Sequence, residues 1–469
     1  MKLRSLSAGL TAAMCLSMVA VAHARNPHCA GGIQYVVQGL RDNAKGNKED
    51  YIRQMNKAVD QLSMCAAEDG EDHEALGYLG WAYAELDSMG PAGDAFAKAI
   101  AGLQAKGDKK RFEVVSNNRE SYWAQRYNEG IRAVTDAQQF AEAGAKDEAH
   151  GKFVEAIDKL TKAKLLKPGS AATLRNLAVA YAADGQFDQA ETVLRNGLTE
   201  AAAATSGGQL QDARRLTRAN KAGKLHDEKK YDEAITYYTE LSKNEPNSAD
   251  HLMGLGNAYF SRAATKQDAA KKADYKLSGD AYAKAFLVKK EDANLVFNAA
   301  LAYQNASELA LAEGQWREAV KLNSKDAEAL SSLGSVLADE SKFDEAVRVL
   351  HQAVAEKPDN KVYFRQLGAA YSKAGNNVKS TEMLMIYLSM DKGKAATDAA
   401  GAAKAAKAGS AATNTLGAMG SPDKVLDWEY DSRKLQTWIY GGKKQAFTFD
   451  SAAGSLVQKS DWNPPAAKK

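Results

Sequence analysis

The chain has 469 residues, 45% of them hydrophobic and 26% charged, with a mean hydropathy of −0.46. This length allows two or more packed units, and this charge excludes a membrane-embedded or fibrous protein. The 62 basic and 59 acidic residues are interleaved and the net charge is only +3, so the clustered basic face that nucleic-acid binding requires is missing. Of the 8 prolines, three follow residue 421, which favours long uninterrupted helices before that point.

Residues 1–24 carry Lys2 and Arg4, an apolar run from Leu6 to Ala22, and the small-x-small sequence Ala22-His23-Ala24. This arrangement reads as a secretory signal with cleavage expected after Ala24. The run is broken by Ser7, Gly9, Thr11 and Ser17 and falls short of the roughly 20 apolar residues of a membrane span. A soluble mature chain, secreted or periplasmic, is expected. Cys15 lies in this segment; Cys29 and Cys65 remain, an even number in an oxidising compartment, and a disulfide between them is predicted over two buried free thiols. Residues 25–72 read as a helical hairpin, with Ile33, Val36, Val37 and Leu40 on one helix and Ala58, Leu62 and Cys65 on the other. An antiparallel pair brings Cys29 and Cys65 to the same end.

From residue 73 to 391 the sequence repeats with a period of 34. One unit holds Leu330, Leu333, Gly334, Leu337, Phe343, Ala346, Leu350, Ala353 and Pro358. The same frame catches Phe364, Leu367, Gly368, Tyr371 and Leu384; Val296, Ala300, Tyr303, Ala312, Trp316 and Ala319; Leu174, Leu177, Ala178, Tyr181, Phe187, Ala190 and Leu194; and Leu76, Leu79, Gly80, Tyr83, Ala92, Phe96 and Ala99. Large residues alternate with small ones at Gly80, Gly256, Gly334 and Gly368, and at Ala92, Ala190, Ala234 and Ala346, where two helices of a hairpin must approach closely. Proline spacing places two ten-residue insertions, one a loop near Thr205–Arg214 and one between Tyr259 and Tyr275 that lengthens both helices of its hairpin. Asp108–Asp136 fits no hairpin and reads as a long amphipathic helix, with Tyr122, Trp123, Tyr127 and Ile131 on its apolar side, serving either as extra packing or as a docking helix.

This pattern resembles the tetratricopeptide repeat family. The resemblance implies an all-α solenoid of stacked antiparallel helix pairs, each covering the apolar surface its neighbour leaves bare.

Lys392–Ala412 has no large apolar residue and is predicted to be a linker or a weak solvated helix. Over 413–469 the period changes to two, with Trp428 and Tyr430, Trp438 and Tyr440, and Phe447 and Phe449, a turn at Gly441-Gly442, and a further strand at Leu456-Val457. A small antiparallel β module with one aromatic face is expected. The order of short helix, Gly420-Ser421-Pro422-Asp423, then aromatic strands is similar to the small lipoprotein subunit of the outer-membrane β-barrel assembly machinery, over about 45 residues. A sheet that caps the last repeat remains the other reading.

No two of the 7 histidines stand at i, i+3 or i, i+4, no glycine-rich phosphate loop or Gly-x-Ser-x-Gly elbow occurs, and Cys29 and Cys65 have no sequence signature of an activated thiol. No metal, cofactor or catalytic residue is therefore proposed, and the chain reads as a binding protein. In the resembled family the first helices line a concave groove that takes peptides. Carried over position by position, the resemblance implies groove residues Arg175, Asn176, Asn220, His226, Asn257, Asn294, Asn298, Gln304, Arg365 and Gln366, with Trp81, Met253 and Phe297 as apolar members. The carboxylate-gripping branch places a lysine where this chain has Ala172, Leu216 and Asn294, so a carboxylate clamp is not implied. The function expected is a secreted or periplasmic scaffold that holds a protein or peptide partner and organises a cell-envelope assembly. The alternative is an envelope-biogenesis component whose C-terminal sheet contacts outer-membrane lipid, polysaccharide or assembly machinery.

Overall fold

A computed structural model describes residues 25–201 and 207–464; the expected signal segment, with Cys15, lies outside them. The chain divides into two compact units, 1–221 and 222–469.

In the first unit the helices are α1 (Pro27–Ala44), α2 (Lys48–Glu68), α3 (His73–Glu85), α4 (Met89–Ala105), α5 (Lys109–Glu142), α6 (Lys146–Leu166), α7 (Ala171–Ala183) and α8 (Phe187–Ala201). The division between units falls inside α9 (Gly207–Asp227). Gly207 and Gly208, expected in a loop, open this helix instead. The second unit continues with α10 (Tyr231–Asn244), α11 (Ala249–Ala264), α12 (Asp268–Val288), α13 (Ala293–Asn305), α14 (Leu309–Leu322), α15 (Ala327–Asp339), α16 (Phe343–Glu356), α17 (Lys361–Lys373) and α18 (Asn377–Lys392).

Local chemistry sets these boundaries. Asp72, Ser170, Ser248, Asp292, Asp326 and Asn360 each cap the first helix of a pair by accepting a hydrogen bond from a backbone N–H of its first turn. Three of them stand two residues after Pro168, Pro246 and Pro358, which stop the helix before. Within pairs the chain reverses through a left-handed residue, Gly185 (φ 80°) and Gly375 (φ 79°) among them.

The small residues do what the spacing requires. A Cβ at Gly80 would stand 2.8 Å from the Phe96 ring, and one at Gly334 would stand 2.5 Å from Leu350 Cγ, a contact sixteen positions along the chain in both hairpins. The same contact recurs as Gly256 on Tyr282 in α11 and α12, twenty-six positions apart, matching the ten inserted residues. It recurs again as Gly130 on Leu160, thirty positions apart, in α5 and α6. The segment expected to fit no hairpin is thus the first helix of an enlarged one. Its aromatic residues are packing residues: Tyr122 and Trp123 join the core of α1 to α6, and Tyr127 and Ile131 that of α5 to α7.

The predicted disulfide joins Cys29 at the start of α1 to Cys65 near the end of α2, with Cα atoms 4.9 Å apart and both residues buried. Asp72 lies close enough to suggest a three-ligand metal cluster, but the sulfurs are bonded to each other and the Asp72 carboxylate accepts from Arg25 Nε at 2.6 Å.

Beyond α18 come β1 (Lys394–Ala395), α19 (Ala399–Lys404), α20 (Ala411–Met419), β2 (Lys424–Tyr430), β3 (Arg433–Tyr440), β4 (Gln445–Asp450) and β5 (Leu456–Asp461). The strands form one antiparallel sheet in sequence order. Val425, Trp438 and Phe447 share a register and, with Tyr440 and Phe449, pack under Ala403 and Ala412. The stretch 392–412 therefore contributes to a core: alanine suffices where the partner is a broad aromatic surface. Trp428 pairs with Leu435 and lies on the opposite face, so the aromatic residues do not share one side as expected. That opposite face supplies Leu426, Ile439 and Ala446, which join Trp462 in the core of α11 to α18. The sheet is covered on one face by the last repeat and on the other by α19 and α20.

Candidate functional site: the outer face of the first helices

In the second unit the first helices of successive pairs are α11, α13, α15 and α17. Each buries one stripe, for example Leu295, Val296, Ala299, Ala300 and Tyr303 in α13, leaving the intervening positions toward solvent. Consecutive first helices touch: Gln366 of α17 accepts from Ser331 Oγ and donates to Ser335 Oγ of α15, the latter at 2.9 Å. Ser331 is itself buried. These serines are short, so the two helices lie close enough for one glutamine to span them.

The implied groove residues of this unit separate into two groups. Asn257 accepts from the Tyr282 hydroxyl, whose proton burial holds in place by pushing the phenol up to about 12. Gln304 accepts from Trp316 Nε1 at 3.0 Å, satisfying the indole N–H of a fully buried side chain. His226 bonds Ser261 Oγ at 3.0 Å. Together with Gln366, these side chains are spent on internal contacts. Asn294 and Arg365 are exposed and Asn298 is half-buried, and none of the three side chains has a hydrogen-bond partner among the described residues. Asn294 and Asn298 stand at i and i+4 on α13, so they share a face. The Arg365 guanidinium lies over the Tyr387 ring at 5.8 Å, which leaves its edge donors free. Met253 is 37% exposed, and half-buried Phe297 sets its ring edge-on to Trp316 at 4.8 Å.

In the first unit, Arg175 is exposed on α7, whereas Asn176 Nδ2 donates to the Tyr127 hydroxyl at 2.7 Å. Asn220 is exposed on α9. Trp81, expected as an apolar groove member, is buried at 8% exposure, stacks on Tyr78 at 5.9 Å and donates to Glu85 at 3.2 Å. It is a core residue because Glu85, which also accepts from the hydroxyls of Tyr51 and Tyr122, draws its N–H inward.

Three polar residues at the end of the second unit escape the groove frame: His351 of α16 and Lys379 and Glu382 of α18. His351 and Glu382 are buried at positions that face the core. A histidine and a glutamate in place of the usual aliphatic residue were the available signal.

The face can offer the amides of Asn294 and Asn298 and the Arg365 guanidinium beside an apolar Met253, a set suited to the carbonyls of an extended chain. Family models of the tetratricopeptide repeat match residues 148–210, 227–283 and 297–361. No curated protein matches the chain. Among solved structures, YrrB, described as a TPR protein with an unusual peptide-binding site, is 22% identical, with 40% of this chain and 92% of that chain covered and a TM-score of 0.33. MamA is 20% identical over 38% of this chain and 91% of that one, with a TM-score of 0.33. MamA from Desulfovibrio magneticus RS-1 is 16% identical over 38% and 94%, with a TM-score of 0.32.

Proposed function

The chain belongs to the tetratricopeptide repeat family, and from that premise we propose that it is a non-catalytic scaffold holding an extended protein segment on the outer face of its first helices. The observation that carries the reading is that Asn294 and Asn298 on α13 and Arg365 on α17, the pairs on either side of α15–α16, keep hydrogen-bonding groups unengaged while Asn257, Gln304 and Gln366 are tied inward. One such bond contributes about 0.5–1.5 kcal/mol net, so specificity comes from several acting on one ligand. Export to the periplasm or exterior is supported by the sequence of residues 1–24 and by the Cys29–Cys65 bridge, which persists in oxidising compartments. No helix among the described residues is long and apolar enough to cross a membrane. Organisation of a cell-envelope assembly is the role this address suggests. The alternative role of the C-terminal sheet in lipid or glycan contact loses its main support, because Trp438, Tyr440, Phe447 and Phe449 lie under α19 and α20.

The test replaces Asn294, Asn298 and Arg365 by alanine in the full chain, verifies helicity by circular dichroism, and compares partner capture with an Arg348→Ala/Gln352→Ala control on the exposed side of α16. Loss of the partner in the first variant and retention in the second supports the assignment. The reverse moves the binding surface to the second helices.

A further inference from the structure

The apolar end of the second unit is closed by the chain at Ser460–Trp462, which lies across α16 and α18 and is held there by four hydrogen bonds. Ser460 Oγ donates to the Glu382 carbonyl at 3.1 Å, and the Asp461 N–H donates to the Glu382 carboxylate at 3.0 Å. Lys379 Nζ donates to the Asp461 carbonyl at 3.0 Å, and His351 Nδ1 stands 2.9 Å from the Trp462 carbonyl. The Trp462 ring, 2% exposed, sits edge-on to Phe364 at 5.3 Å. Three of these bonds grip main-chain groups of an extended segment by side chains of the repeats, so the segment acts as a strap that seats the whole sheet.

His351 is the buried member of this grip, at 3% exposure, and its protonation state is dictated by its partners. A carbonyl accepts only, so Nδ1 carries the proton; Nε2, 2.7 Å from the Tyr371 hydroxyl, accepts from it. The neutral ring thus satisfies both neighbours. A second proton would turn Nε2 into a donor, ending the bond it accepts from the Tyr371 hydroxyl, and would place a cation in a buried site. The groups facing the ring are Tyr371 from α17, Lys379 and Glu382 from α18, Lys444 from the turn between β3 and β4, and Asp461 from the strap. Glu382 already accepts from Lys379 at 2.9 Å and from the Asp461 N–H, and two lysines oppose the added charge.

We propose that His351 is an acid-sensitive catch: neutral, it fastens the strap and the sheet to the last two repeats, and protonated, it lets them go and bares the apolar surface around Phe364. The inference stands apart from the groove assignment. Burial pushes His351 down to about 4, with Lys379 and Lys444 acting in the same direction and the Trp462 carbonyl and Asp461 against it. The released ring returns to an ordinary value near 6.5, so the docked state is fully favoured above about pH 6.5 and loses its advantage as the pH falls toward 4. Between pH 7 and pH 5 the opening equilibrium should rise about twentyfold by this linkage.

Hydrogen–deuterium exchange of the full chain at pH 7, 6 and 5, corrected for the chemical exchange rate, reads the opening of residues 445–462 against α13–α15. The expected result is an increase of about twentyfold in the strap and sheet above any change in α13–α15, and in His351→Gln a raised opening that no longer depends on pH. An equal change in both regions overturns the proposal, as does a wild-type slope that persists in His351→Gln. Should His351→Gln not fold, the wild-type comparison of the two regions decides alone.

Discussion

Adding one side chain at Gly334 tests the packing that generates the repeat. A Cβ there would lie 2.5, 2.9 and 3.2 Å from Cγ, Cδ2 and Cδ1 of Leu350. Leu350 cannot swing aside, because it is fully buried in a core it shares with Val347, Val354 and Leu333. Gly334→Leu should therefore overpack the α15–α16 hairpin and destabilise it by about 1–3 kcal/mol or more, lowering the thermal midpoint of this unit by roughly 2–4 °C per kcal/mol. Leu350→Ala alone should cost about 2–5 kcal/mol by leaving a cavity. Combined with Gly334→Ala, whose methyl would occupy part of that cavity, the loss should fall short of the sum of the two single changes, which isolates the contact. Differential scanning calorimetry of the four proteins in the Gly334→Ala/Leu350→Ala cycle measures it. A Gly334→Leu melt identical to wild type, or strict additivity in the cycle, would refute the assignment of these positions to a close helix crossing.

Thiol titration without reductant should find no free thiol from Cys29 or Cys65, and replacing both by serine should cost about 4 kcal/mol in the loop-entropy estimate for their separation of 36 residues; unchanged denaturant unfolding would count against a structural role. Gln304→Ala should destabilise α13–α14 by about 1–3 kcal/mol by orphaning the Trp316 indole N–H, while leaving partner capture intact, whereas Asn294→Ala should leave the melt unchanged and weaken capture by about 0.5–1.5 kcal/mol. Although burial acts against it, the bonds from Arg262 and Lys266 hold the Asp274 carboxylate below the ordinary range. Asp274 should therefore stabilise α11–α12 above about pH 4 and lose that effect as the pH falls through its lowered value, and Asp274→Asn should remove this part of the acid dependence in pH-resolved urea melts.

The repeat was legible because its period comes from one recurring contact, small residue on large residue sixteen positions later, and that contact leaves its mark in the sequence wherever the hairpin has standard length. It became invisible in α5 and α6. Both helices there are lengthened, so Gly130 still meets Leu160 but at thirty positions, and a search at fixed period sees only a long amphipathic run. The stretch 392–412 lacks large side chains, so its composition points to a linker or a weak solvated helix. Burial there depends on Trp438 and Phe447 arriving from strands far along the chain, which composition does not record. The aromatic strands were recognised, but their register was not: Trp428 pairs with Leu435, and that pairing is set by which strand face meets α18. At the groove, residue type gave polarity and position gave the helix. Neither told that Asn176, Asn257 and Gln304 are engaged by Tyr127, Tyr282 and Trp316, because those partners come from separate helices.

The central claim is that a partner lies on the first helices, and site-directed photocrosslinking measures it most directly. A photoreactive residue placed singly at 294, 298, 365 or 352 in the full chain, activated in extract of the source cells, should crosslink a common partner from 294, 298 and 365 and give none from 352. Crosslinking of that partner from 352 alone would contradict the account.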